Sequence, residues 1–150
     1  MFEPLFQLSS LLVMPFWLLM IFLPRWRWTQ RIMGSPWVVA PIALLYAVLI
    51  APQMASALPL LFRPTLSGIA ALLGTPVGAT IGWLHFLAFD LFVGRWAYLE
   101  SRRHGMSAWL VSPILFVVLM FGPLGLLLFL ALRTLLTPRS ADPATGTAAA

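Results

Sequence analysis

The sequence predicts an all-α fold: a four-helix transmembrane bundle with a short interfacial helix between spans two and three. Three observations carry that expectation. Apolar residues make up 61% of the 150-residue chain and charged residues 9%, at a mean hydropathy of +0.97, whereas soluble domains carry about 25% charge. Four runs approach the roughly 20 apolar residues that cross a hydrocarbon core at 1.5 Å per residue. Between the runs stand prolines, glycines and arginines, which end spans and anchor them at head groups.

The first span covers residues 5–23. It starts beside Glu3 instead of a basic segment and runs a full bilayer width, so it is expected to be retained and not cleaved as a signal peptide. Pro24 closes it, and Arg25-Trp26-Arg27-Trp28 forms an interfacial belt, with indoles at head-group depth and guanidiniums reaching for water. The second span covers residues 37–55, with Pro41 in its first turns and Pro52 near its end. Residues 57–76 are broken by Pro59, Pro64 and Pro76. Within them, residues 65–74 open on a capping threonine and close on Gly74; too short to span, they are expected to lie on the interface or fold back as a lid. The third span covers residues 78–99. The fourth covers residues 108–132, with Gly122-Pro123 as a kink whose freed carbonyl a neighbouring helix can satisfy. One transmembrane domain thus occupies residues 1–133, and residues 134–150, small and polar, form a disordered tail.

All nine basic residues are arginines, and the net charge is +5. They sit at span ends and not along one face, so the expected partner is the lipid bilayer with its anionic head groups, and no nucleic acid is expected. Arg25, Arg27, Arg31, Arg102 and Arg103 on one side outweigh Arg63, Arg133 and Arg139 on the other, which puts both termini outside. The absence of cysteine excludes disulfides, thiolate metal sites and a cysteine nucleophile. His85 lies deep in a span and His104 at an edge, which argues against a bis-histidine haem, and carboxylates are too few for a dimetal centre. No cofactor or metal is expected. Spans one and two do not mirror three and four, which counts against an inverted-repeat transporter.

The third span carries charge where a membrane helix should not: His85, Asp90 and Arg95 at five-residue steps. Ionisable groups at that depth persist mainly when they face a bundle interior, a cavity or a reaction. Five residues turn a helix by about 140°, so the three cannot stack into one intrahelical triad, and their partners must come from other helices or water. Gly94, four residues after Asp90, and the Gly78/Gly82 pair let another helix approach closely, so the Asp90 face is expected to be the packed one. A desolvated carboxyl there is a candidate general acid or base, with a buried His85 as its natural second member. Plainer readings stand beside these. A lone histidine in a bundle is more often structural, and a polar group can simply lock two helices by a hydrogen bond worth about 1 kcal/mol. Arg95, near the span end, serves as an interfacial anchor or as an ion-pair partner for Asp90. Glu100, Arg103 and His104 are spaced for pairing on a helix end that Gly105 stops, and read as a solvated terminus.

The run Trp83-Leu84-His85-Phe86-Leu87-Ala88-Phe89-Asp90-Leu91-Phe92-Val93-Gly94-Arg95 resembles the W-x-H-L-L-x-x-D-L-F-x-x-R signature of the ABA4-like (abscisic-acid-deficient 4) family. Pro15-Phe16-Trp17, Pro41 to Tyr46, Gly68-Ile69-Ala70, Arg103-His104 and Gly122-Pro123 with Gly125 agree in order, so the resemblance covers residues 5–133. Plant members of that family are plastid membrane proteins needed to convert violaxanthin to neoxanthin. The conversion is a redox-neutral isomerisation that opens an epoxide while a proton leaves a neighbouring polyene carbon. Such chemistry requires an acid at the epoxide oxygen and a base at the carbon, in a dry apolar slot. The resemblance therefore implies a carotenoid isomerase in which Asp90 and His85 divide the acid and base roles and Arg95 stabilises the developing alkoxide. Without a plastid transit segment, the chain is expected in a bacterial inner membrane, and the ligand carried over is a carotenoid or other isoprenoid lipid instead of violaxanthin itself. Two other readings remain open: a non-catalytic scaffold or accessory subunit, and a small proton-coupled transporter using Asp90. A homo-oligomer is compatible with each.

Overall fold

The structure, a computed structural model, describes residues 2–136 and is all-helical, without a strand among the described residues. Helix α1 (Phe2–Phe22) is the first expected span, apolar from Leu11 onward and continuous through Pro15. Buried Ser9 donates its hydroxyl to the Phe6 carbonyl at 2.6 Å, which leaves no bare polar group there. After Pro24 the arginine–tryptophan belt folds into a helix that its pattern does not announce, α2 (Arg27–Gly34). It buries Thr29 and Met33 and turns Arg27, Trp28, Gln30 and Arg31 outward, an amphipathic split suited to an interface.

The second span is one apolar stretch over Pro36–Phe62. It is built from α3 (Ala40–Ile50) and α4 (Met54–Phe62), joined by a tighter 3-10 turn at Ala51–Gln53, where Pro52 removes an amide donor. It runs past its expected end because Pro59 is carried inside α4. Helix α5 (Leu66–Leu73) is the expected short helix: Thr65 Oγ1 accepts from the Gly68 N–H at 3.1 Å, and Gly74 follows its end. It folds back onto the first turns of α6 (Pro76–Arg103), itself capped by Thr75, whose Oγ1 accepts from the Gly78 N–H at 3.0 Å.

Helix α6, about 42 Å long, is the axis of the bundle. Leu84, Leu91, Ala97 and Tyr98 on it are buried together with Val13, Trp17 and Met20 of α1. Gly94 leaves the space in which the Trp17 ring lies flush on α6; any β-carbon there would strike the indole. The α1–α6 pairing is parallel, because Trp83 Nε1 donates to Ser10 Oγ at 3.0 Å near the start of both helices and the Tyr98 hydroxyl donates to the Pro24 carbonyl at 2.7 Å near the end of both.

The region expected to be a fourth span is a hairpin instead. Helices α7 (Ala108–Phe121) and α8 (Pro123–Leu136) fold back on each other at Gly122. Gly122 has φ of +21°, a backbone state that favours glycine, and Pro123 opens the next helix with the φ that its ring imposes. Gly125 lies so close to Val118 that a β-carbon would meet the Val118 backbone nitrogen and α-carbon. In a continuous helix those residues stand about 10 Å apart along the axis. Each arm is about 21 Å long, shorter than the roughly 30 Å hydrocarbon core. The hairpin therefore starts at the Arg103 end of α6, reaches its middle and returns. On the return arm, Phe129 packs edge-on against Trp96 with ring centroids 5.4 Å apart, and Arg133 Nη2 pairs with Glu100 Oε1 at 2.7 Å.

This corrects the expected topology. Phe2 lies beside Pro76 at one end of α6, while α8 finishes at the Glu100 end, so the two ends of the described chain sit at opposite ends of the bundle, not on the same side. Arg25, Arg27, Arg31, Arg102, Arg103 and Arg133 gather at the latter end, with Arg63 at the other. Residues 134–136 of the expected tail belong to α8, and residues 137–150 lie outside the described residues.

Candidate functional site

Asp90 stands near the middle of α6, half-buried under the turn of the α7–α8 hairpin. A β-carbon on Gly122 would fall on Asp90 Oδ1, so the glycine at the turn is what leaves room for the carboxyl. Helix α8 begins at that point, and first-turn N–H groups without helical partners carry partial positive charge. Among the described residues Asp90 has neither a hydrogen-bond nor an ion-pair partner. A carboxyl at this depth gains nothing for stability by standing alone.

His85, expected to be buried beside Asp90, is exposed on a different face of α6. Its ring lies 4.7 Å from that of Phe89 and 5.8 Å from that of Tyr46 on α3. The five-residue spacing that separates it from Asp90 by about 140° accounts for this. It lines a cavity of about 230 Å³ enclosed by α3, α4, α5 and α6, together with Tyr46, Gln53 and Thr75 among apolar walls.

Arg95 turns to a third side and is engaged there. Its Nε donates to the Met33 carbonyl at 2.7 Å and the Ser35 carbonyl at 3.1 Å, and its Nη2 donates to the Gly34 carbonyl at 3.0 Å. A guanidinium placed on the last carbonyls of a helix satisfies them and complements the helix dipole. Arg95 thus fastens α2 to α6 and does not pair with Asp90. The three groups do not meet, and each looks to a different neighbour.

Glu100 is a second centre of charge. It is 8% exposed, and its carboxylate meets Arg133 Nη2 at 2.7 Å, His104 Nε2 at 3.2 Å and Arg103 Nη1 at 3.6 Å. The pairing with Arg103 and His104 follows from helical spacing, whereas Arg133 arrives only because the hairpin returns. Among the described residues no group of three or more histidine, aspartate or glutamate side chains is placed to hold a metal. A larger apolar groove of about 870 Å³ separates the end of α1 from α7, walled by Phe22, Trp26, Trp109 and Phe116.

Sequence reasoning passes over Tyr46, Gln53 and the Gly122 contact with Asp90. Gln53 carries a signal, an uncharged amide within an apolar span; the Gly122 contact carries none, since it depends on the hairpin.

Comparison with known proteins agrees along most of the chain. A family model described as ABA DEFICIENT 4-like matches residues 4–129. Protein ABA DEFICIENT 4, chloroplastic, of Arabidopsis thaliana is 28% identical over 134 residues, which covers 81% of this chain and 56% of that protein. The chain thus spans little more than half the length of that relative. No solved structure matches.

Proposed function

The chain belongs to the ABA DEFICIENT 4-like family, and from that premise we propose that it acts within the bilayer on a carotenoid or other isoprenoid lipid, with Asp90 as the group that moves protons. What supports this most is the Asp90 carboxyl itself, half-buried at mid-depth, without a partner, beneath a turn kept open by glycine. The reaction class is a redox-neutral isomerisation of the kind the family resemblance implies. A proton passes to an epoxide oxygen as its C–O bond breaks, and a proton leaves a neighbouring carbon to form the new double bond. One carboxyl can serve both steps, giving the proton from one oxygen and taking one back at the other, so it ends as it began. His85 lies on another face of α6 and Arg95 is held by three carbonyls, so neither shares the reacting atoms; Arg95 fastens α2 to α6. The arginine-rich end faces the cytoplasmic side, as the positive-inside rule requires.

A second reading, a non-catalytic accessory subunit, is favoured by the fate of the other charged groups, since Arg95 and Glu100 both serve to hold helices together. One comparison separates the two. Wild type and Asp90→Asn are expressed at matched levels in a carotenoid-producing host and the pigments are compared. A new pigment that is lost in Asp90→Asn supports catalysis. A pigment change that survives the substitution supports the accessory reading, and a profile unchanged by the wild type overturns both.

A further inference from the structure

The cavity enclosed by α3, α4, α5 and α6 is set apart from Asp90 and is unused by the proposed proton transfer. Tyr46, Gln53 and His85 line it, and none of their side chains has a hydrogen-bond partner among the described residues. In a bilayer no water is at hand to satisfy such groups, so three of them facing one small space are complementary to a polar ligand atom. The phenol, the amide and the imidazole can each donate or accept, which fits a hydroxyl or carbonyl oxygen. No carboxylate, arginine or lysine lines the space, so a charged ligand would find no counter-ion there.

Size and shape narrow the ligand further. At about 230 Å³, the cavity falls below the roughly 300–1,000 Å³ of pockets that take whole drug-sized ligands. It holds one ring-sized group, and the remainder of the molecule passes out beside His85 and Phe86, both exposed. The Tyr46 and His85 rings, tilted with centroids 5.8 Å apart, and the Phe86 ring, edge-on to His85 at 6.1 Å, form an aromatic wall suited to packing against a ring. Leu72 and Leu73 of α5 close the far end, which gives the folded-back helix a role as a floor.

We infer that this cavity binds the neutral, ring-sized, oxygen-bearing end of a lipid, with Tyr46, Gln53 and His85 recognising the oxygen. The inference goes beyond the Asp90 reading and does not rest on it, because its readout is binding and not pigment chemistry. The test uses the purified full chain in lipid nanodiscs and a diazirine-bearing benzyl alcohol, a one-ring neutral alcohol that crosslinks on illumination. Adducts are mapped by mass spectrometry. The expected result is saturable labelling of the segments that line the cavity, competed by a ring alcohol but not by a straight-chain alkane. Tyr46→Phe and Gln53→Leu each weaken it about three- to tenfold, the worth of one hydrogen bond. Tyr46→Phe removes a single oxygen and keeps the packing, and circular dichroism checks the helix content of both variants. Labelling that does not saturate, that spreads over the lipid-facing surface, or that is equal in both folded variants overturns the inference.

Discussion

Gly125→Ala tests the hairpin through the sign of its effect. The new β-carbon would meet the nitrogen, the α-carbon and a methyl of Val118. Two of those three atoms are backbone and cannot rotate aside. Helices α7 and α8 must part by about an ångström, and a gap of that size forfeits a quarter to a half of the dispersion energy of the atom pairs across it. Overpacking of this kind costs about 1–3 kcal/mol. If residues 108–132 were one kinked span, residues 118 and 125 would lie two turns apart, and an interior glycine-to-alanine change would gain about 1 kcal/mol from helix propensity. Unfolding in mixed detergent micelles, followed by circular dichroism, reads the difference. Gly34→Ala is the control, because a β-carbon there meets nothing within 4 Å, and its effect stays within about 0.5 kcal/mol. A Gly125→Ala chain as stable as Gly34→Ala, or more stable, refutes the hairpin.

Three further outcomes are expected. The chain has no cysteine, so single cysteines report topology directly: Ser107→Cys and Leu136→Cys react with an impermeant maleimide from one side of the membrane and Leu66→Cys from the other, whereas a fourth span would place position 136 with position 66. Arg95→Met leaves three carbonyls without their donor and lowers stability by about 1–3 kcal/mol in the same titration, and Arg95→Lys restores only part, because an ammonium lacks the planar fork; full restoration by lysine would contradict the geometry. Glu100→Gln removes the charge that Arg133 meets at 2.7 Å, so amide exchange along α8 quickens while that of α1 does not, and unchanged exchange in α8 would count against the anchor.

Much of the fold was legible because membrane helices announce themselves by length and hydropathy: α1, the second span and α6 all follow from apolar runs. The short α5 was legible too, since Thr65 and Gly74 mark its ends chemically. The hairpin was not. An apolar run interrupted by Gly122-Pro123 reads the same whether the chain bends or reverses, and what decides is the contact of Gly125 with Val118, which no local pattern encodes. At the site, the five-residue spacing correctly kept His85, Asp90 and Arg95 from forming one triad. It could not say where each would look. Gly94, expected to share the Asp90 face with an approaching helix, receives the Trp17 ring, whereas Asp90 meets the hairpin turn. Arg95 satisfies backbone carbonyls, and carbonyl acceptors have no side-chain signature. His85 was legible as an ionisable group in lipid, but its exposure depends on how α3, α4 and α5 are placed around its face of α6.

The central claim is that Asp90 carries the chemistry, and the most direct measurement is a time course of pigment conversion in membranes from the carotenoid-producing host, with wild type, Asp90→Asn and Asp90→Glu at matched levels. Asparagine keeps the shape of the side chain and removes the exchangeable carboxyl proton, while glutamate keeps the carboxyl and moves it. The account predicts conversion by the wild type, a fall of about a hundredfold or more in Asp90→Asn, and partial activity in Asp90→Glu. Conversion by Asp90→Asn at the wild-type rate would contradict it.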